Sequence, residues 1–181
     1  MNRILIIAAL FLAACNSTKV IQNEVTPGVD FTKYKTFDFL QSLASGDTIP
    51  GRYESGLALV KQAVVNEMNK RGYQQSSSDP DLYINLGISV KNKVQTRETD
   101  WRTDGQMAYI GQRNYSWKSQ EVVVGTYEEG TLDLNLVDAA AKSMIWKAIV
   151  KDVLPVKTKN LLATVNESIA TMFSKFPVTV K

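Results

Sequence analysis

The sequence predicts an α+β fold, a two-layer sandwich in which a mixed four- to five-stranded sheet carries two amphipathic helices on one face. Three observations predict it. Leu82, Ile84, Leu86, Ile88 and Val90 alternate strictly with Tyr83, Asn85, Gly87, Ser89 and Lys91, the period of a strand with one apolar and one wet face. Leu57, Val60, Val64 and Met68 recur at helical spacing, with Ala63 filling the stripe. Leu161, Leu162, Val165, Ile169, Met172, Phe173 and Phe176 form a second, broader stripe that Pro177 stops.

In chain order, Val20–Val25 reads as a short edge strand, and Pro27-Gly28 as a turn. Thr36–Leu40 reads as a strand with Phe37 and Phe39 on one face, and Gln41–Tyr53 as a loop rich in Ser, Gly, Asp and Pro. The first helix is expected over Glu54–Arg71. Lys70 and Arg71 suit its negative end, and Gly72 suits the left-handed cap position. After the alternating strand, Gln95–Gln120 has little periodicity but contains Trp101, Tyr109, Tyr115 and Trp117, with Arg97, Arg102 and Arg113 between them. Glu121–Val137 returns to a strand pattern, with a bend or bulge expected around Gly125, Glu128-Glu129 and Gly130. Asp138–Lys142 turns the chain into Ser143–Leu154, where Met144, Trp146, Ala148 and Val150 form the expected inner face. The second helix is expected over Thr158–Phe176. The strand–helix–strand unit favours a right-handed crossover between parallel strands, the later hairpin adds antiparallel neighbours, and the helices cover one face.

The amino terminus carries a different signal. Met1-Asn2-Arg3 is a short positive stretch, and Ile4–Ala14 is an apolar run too short to span a bilayer. This is the pattern of a secretory signal peptide. At its end stands Cys15, the one cysteine of the chain. Leu12-Ala13-Ala14-Cys15 resembles the bacterial lipobox at all four positions. The resemblance implies cleavage before Cys15, diacylglycerol on its sulfur and an acylated new amino terminus. The expected organisation is therefore a lipoprotein signal peptide over 1–14, a lipidated tether over 15–19 and one domain over 20–181. Two or three acyl chains anchor a protein stably without any spanning helix. Asn16 is not the aspartate that retains such proteins at the inner membrane, and Asn16-Ser17-Thr18-Lys19 lacks an acidic surface-export signal. The resemblance thus implies the periplasmic leaflet of the outer membrane.

Composition narrows the chemistry. The 181 residues have a formal net charge of +3 and no histidine. Loss of Arg3 with the signal lowers that charge by one, leaving no footprint for nucleic acid. The missing histidine removes Ser-His-Asp and Cys-His catalysis, the commonest general acid/base and Cys/His zinc sites. No P-loop, GxGxxG, EF-hand or GxSxG pattern occurs. The closest carboxylate pairs, Asp79-Pro80-Asp81 and Glu128-Glu129, read as turn chemistry and as part of a strand bend. No catalytic residue, metal site or cofactor is expected, and the protein is not expected to be an enzyme.

The pieces "VDFTKYKTFDF", "KRGY" with "DPDLYINL", "EGTLDLNLVDAAAKSMIWKA" and the closing "FSKFP" follow one another in that order. In them the chain resembles the bacterial lipoprotein family known as domain of unknown function 4136. The resemblance implies no catalytic residues. It does imply an excursion between two strands, here Gln95–Gln120, and a "DxxD" signature represented by Asp133 and Asp138 with different spacing.

The leading expectation is an envelope-anchored, non-enzymatic binding or structural module. Its partners are the membrane, through the lipid on Cys15, and a protein or envelope component, through Trp101, Tyr109, Tyr115 and Trp117, residue types enriched in binding hot spots. Two alternatives make contrary demands. A lipid or hydrophobic-ligand carrier needs a large apolar cavity between sheet and helices. A carboxylate enzyme acting on envelope glycans needs two acids facing each other across a cleft.

Overall fold

The structure is a computed structural model that describes residues 18–40, 56–105, 117–155 and 157–180. Its elements are β1 (Lys19–Val25), β2 (Thr36–Phe39), α1 (Gly56–Lys70), β3 (Gln74–Gln75), β4 (Leu82–Glu98), α2 (Trp101–Asp104), β5 (Glu121–Asp138), β6 (Ser143–Val153) and α3 (Leu161–Phe173). The strands form a six-stranded sheet in the order β1-β6-β5-β4-β2-β3. The α+β class and the mixed sheet agree with expectation, but the sheet exceeds the four to five strands expected, and a third helix is present. Two of these additions carry no periodic signal: β3 has two residues and α2 is one turn.

The strand–helix–strand unit is parallel as expected, with Phe37, Asp38 and Phe39 of β2 opposite Leu82, Tyr83 and Ile84 of β4. The remaining long pairings, β4 with β5, β5 with β6 and β6 with β1, are antiparallel. Gly72 has φ +91°, the left-handed conformation that ends α1 and lets Tyr73 N donate back to the Met68 carbonyl.

One apolar layer joins the sheet to α1 and α3. Phe37, Leu82, Ile84, Leu134, Leu136, Trp146 and Ala148 meet Val64, Met68, Ile169, Met172 and Phe173, all essentially sealed from solvent. Trp146 packs against Phe176 with ring centroids 4.7 Å apart, and its Nε1 donates to Asn23 Oδ1 at 2.9 Å. Aromatic pairs in such edge contacts contribute about 0.5–1.5 kcal/mol beyond area burial. Leu57 and Leu162, expected on the buried stripes, are exposed in the first turns of α1 and α3.

The inner face of β6 differs from the expected one at its start. Leu136 lies opposite Trp146 and Val137 opposite Met144, so Ile145 is an extra residue in the ladder. The bulge reverses the alternation: Ile145 is buried and Met144 exposed. Strict period-two reading cannot anticipate that reversal. A second irregularity lies between Gln95 and Thr96, which pair with Gly125 and Val123. The expected bulge is therefore at Val124, beside Gly125, while Glu128, Glu129 and Gly130 continue the ladder without a break.

Arg71 locks the two large helices together. Its guanidinium donates to Glu67 Oε2 at 2.6 Å, to the Phe173 carbonyl at 2.9 Å and to the Val178 carbonyl at 2.9 Å. A basic residue suited to a helix end by its charge thus ties the end of α1 to the end of α3.

Candidate functional site

The aromatic excursion has an internal architecture. β4 and β5 remain paired up to Glu98 and Glu121. β6 ends at Val153, opposite Glu129, which in turn faces Lys91. Beyond that level Asn92–Glu98 and Glu121–Glu128 form a two-stranded arm with no third strand beside it among the described residues. Seven residues at about 3.4 Å each carry the arm roughly 24 Å past the body of the sheet. The expected lack of periodicity has a physical cause: both faces of the arm meet solvent, so neither is under pressure to be apolar.

The described part of the arm closes in a hydrogen-bonded knob. Asp100 caps α2 by accepting from Arg102 N at 2.8 Å. Arg97 grips Asp104 with two donors, at 2.6 and 2.8 Å, the fork geometry that suits guanidinium to carboxylate. That clasp holds the Asp104 carboxyl far below the usual carboxylate range and raises the Arg97 value. On the other side of the knob, Trp117 Nε1 donates to the Thr99 carbonyl at 3.3 Å and Ser119 Oγ to the same carbonyl at 2.9 Å. The Trp117 ring lies across Gly105, where an added β-carbon would meet it at 2.7 Å.

Of the four expected contact residues, the structure brings Trp101 and Trp117 to this knob. Trp101 is 54% exposed and Trp117 37%. Arg102 lies over the Trp101 ring at 5.6 Å. Tyr109, Tyr115 and Arg113 lie outside the described residues, as does Cys15. Sequence reasoning missed Val94, Val123 and Val124, which the arm also exposes. Val94 and Thr96 share a face of β4, and Val123 lies opposite Thr96, so Val94 and Val123 are diagonal neighbours. The bulge that exposes Val124 beside them is signalled in the sequence by the neighbouring Gly125.

The other expected features have structural work. Asp81 accepts from Lys35 N and Thr36 N at 2.7 and 2.9 Å, which places its carboxylate at the start of β2. Glu129 lies 3.5 Å from Lys151 and 4.0 Å from Lys93 across neighbouring strands. Asp133 and Asp138 are on opposite faces of β5 by alternation. Asp133 faces Lys147 at 3.4 Å. Asp138 accepts from Ala140 N, Ala141 N and the Tyr34 hydroxyl. The backbone bond from Ala141 and the Tyr34 hydrogen bond hold its carboxyl down at about 2. Among the described residues no three acidic, histidine or cysteine side chains come together as a metal site, and no helix is long and apolar enough to cross a membrane.

A pocket of about 80 Å³ opens between the first turns of α1 and α3 and the sheet, lined by Leu57, Val90, Gly130, Leu154, Leu161 and Val165 among others. The side chain of Leu154 fills the space above Gly130, where a β-carbon would meet it at 2.8 Å. Beside this pocket Asp152 accepts from Thr18 Oγ1 at 2.5 Å and Ser168 Oγ at 2.9 Å. Thr18, within the stretch expected as the lipidated tether, is buried.

The profile of the domain of unknown function DUF4136 matches residues 21–178. The chain belongs to this family. The matched range starts within β1, ends beyond α3 and encloses the arm. No curated relative matches the chain. Among solved structures, a PDZ domain protein from Parabacteroides distasonis is similar at 16% identity and a TM-score of 0.52, over 91% of this chain and 37% of that one. The chain therefore spans about a third of that protein's length. A PelC dodecamer from Paraburkholderia phytofirmans is similar at 9% identity and a TM-score of 0.51, over 90% of this chain and 99% of that one. Both likenesses are of fold alone.

Proposed function

We propose that this DUF4136 domain is a lipid-anchored, non-enzymatic module of the bacterial envelope, held at the periplasmic face of the outer membrane by Cys15, with the β4–β5 arm as its contact element. The observation that carries the reading is the arm itself. Two strands extend beyond the sheet, end in a clasped knob and expose Trp101, Trp117, Val94, Val123 and Val124, where a purely structural hairpin would stop at the edge of the core. The lipobox at Leu12–Cys15 supports the anchor. The closest carboxylate pairs in the sequence support the non-enzymatic part, since Asp81 is bound to backbone N–H groups and Glu129 to lysine. The apolar layer between sheet and helices is filled, and the pocket at its end is smaller than the several hundred Å³ of a ligand site, which favours this reading over a lipid carrier.

The test is metabolic labelling with a radioactive fatty acid, followed by membrane fractionation. Label on the wild-type protein and none on Cys15→Ser is the expected result, with the wild type in the outer-membrane fraction. Label that persists on the serine variant, or a wild-type protein that stays unlabelled, overturns the anchor.

A further inference from the structure

The strand registers say which way the arm points. Lys19, at the start of β1, lies opposite Lys151. Lys151 lies opposite Thr131, and Thr131 opposite Ser89. The amino-terminal end of β1 is therefore level with Ser89, and β4 runs on past that level to Glu98. The arm leaves the domain at the end where the chain enters it.

The entry point is fixed. Thr18 is buried, and its hydroxyl is held by Asp152 and lies 3.4 Å from Ser168. From Cys15 to Thr18 there are three residues, which reach at most about 11 Å when fully extended. An arm of roughly 24 Å projects past the same end. If acyl chains hold Cys15 in the bilayer, the arm is longer than the gap, and it cannot stand clear between domain and membrane. A domain that stands on this tether with its entry end toward the bilayer therefore brings the arm to the membrane surface.

We infer that the arm is a second membrane contact, lying along the bilayer interface with Trp101, Trp117 and the valines Val94, Val123 and Val124 at headgroup depth. This rests on the anchored reading above and names the occupant of the same contact element: the lipid surface on which the protein is tethered. The chemistry fits. Indole rings, with an apolar body and one polar N–H, collect at membrane interfaces. Exposed apolar side chains at the domain's entry end continue the surface: Val153 closes β6, and Leu57 and Leu162 stand at the first turns of α1 and α3 beside the apolar pocket. Charge does not drive the contact. Lys93, Arg97, Arg102 and Lys118 are matched along the described arm by Glu98, Asp100, Asp104, Glu121 and Glu128, so no basic patch seeks anionic lipid. The contact is interfacial, because those carboxylates oppose deep insertion.

The chain's tryptophans make a direct test. Trp146 is 1% exposed, whereas Trp101 and Trp117 stand on the knob. The full-length lipoprotein, with acylation of Cys15 confirmed by mass spectrometry, is reconstituted into phosphatidylethanolamine vesicles with and without phosphatidylglycerol. The vesicles carry phospholipid brominated near the top of the acyl chains. Interfacial indoles should lose emission by roughly two-fold relative to unbrominated vesicles. Trp101→Phe should remove part of that quenching, and Trp101→Phe/Trp117→Phe nearly all of it, leaving the unquenched Trp146. Equal quenching in both lipid mixtures is expected. Acylated protein whose tryptophans are not quenched overturns the membrane-facing arm and leaves the anchor standing, as does an arm occupied by a protein partner instead. Quenching that requires phosphatidylglycerol overturns the charge-neutral mode of contact. An unacylated Cys15 overturns the anchored reading and this inference with it.

Discussion

The indole of Trp117 occupies the space that a side chain at position 105 would need: a β-carbon on Gly105 would lie 2.7 Å from the ring and 2.9 Å from the Trp101 carbonyl. The knob of the arm depends on that missing side chain. Gly105→Val should displace Trp117 and break its hydrogen bond to the Thr99 carbonyl. The near-ultraviolet circular dichroism of the tryptophans should change. Because the knob is remote from the apolar layer, global stability should move by no more than about 0.5 kcal/mol. A large fall in Tm would show that the knob supports the core.

Arg71 should be the most sensitive polar residue of the domain. It is buried, paired with Glu67 and shared by two carbonyls of the α3 end. Arg71→Ala leaves Glu67 buried with only Lys70 to answer it and strips donors from the Phe173 and Val178 carbonyls. Breaking one side of such a pair costs about 3–5 kcal/mol. Urea denaturation would measure it, and a loss under about 1 kcal/mol would mean that solvent reaches the site freely.

Acid stability should depend on Asp138. Its carboxyl is held at about 2 by the Ala141 backbone N–H and the Tyr34 hydroxyl, against roughly 3.9 in an unfolded chain. A depressed folded value means that the carboxylate stabilises the fold fully above about pH 4 and that this is lost as pH falls toward about 2. Melting temperatures taken from pH 5 to pH 2 should fall less steeply for Asp138→Asn than for wild type, from a lower starting point. Parallel curves would show that other carboxylates govern acid unfolding.

Excising the arm separates contact from stability. Joining Asn92 to Glu128, which face each other in the ladder, through a two-residue Asn-Gly turn retains the hairpin register. The shortened protein should keep the far-ultraviolet spectrum of the body and melt cooperatively near the wild-type temperature. A collapse of the fold would place the arm's pairing among the interactions the domain requires.

A core substitution provides the contrast. Val64 is fully buried against the apolar layer. Val64→Asp places an unpaired charge there at a cost of several kcal/mol, and should abolish the cooperative melt. Leu86, on the same strand face as Leu82 and Ile84, is only partly buried, so Leu86→Asp should be milder.

Much of this architecture was legible from side-chain periodicity. The stripe of Val60, Val64 and Met68, the alternation from Leu82 and the Gly72 cap each follow from short-range geometry, in which neighbours at fixed spacing must share a face, whereas the second helix, expected to run to Phe176, ends at Phe173. The order of the family's pieces was also legible in the sequence. Where no face is buried, periodicity falls silent, which is why Gln95–Glu98 gave no sign of continuing the β4 ladder.

The remainder depended on residues far apart in the chain. Nothing local to Met144 and Ile145 says that a bulge inverts them, because the partner strand at Leu136 and Val137 sets that register. Nothing local to Arg71 says that it binds the carbonyls of Phe173 and Val178, a hundred residues away. The direction of the arm relative to Thr18 required three successive pairings, β1 to β6, β6 to β5 and β5 to β4. Local pattern is enough to choose helix or strand, since it is set by which side chains water rejects. Which end of the sheet holds both the chain's entry and its projecting aromatics is a property of strand order and register, and only the assembled sheet has those.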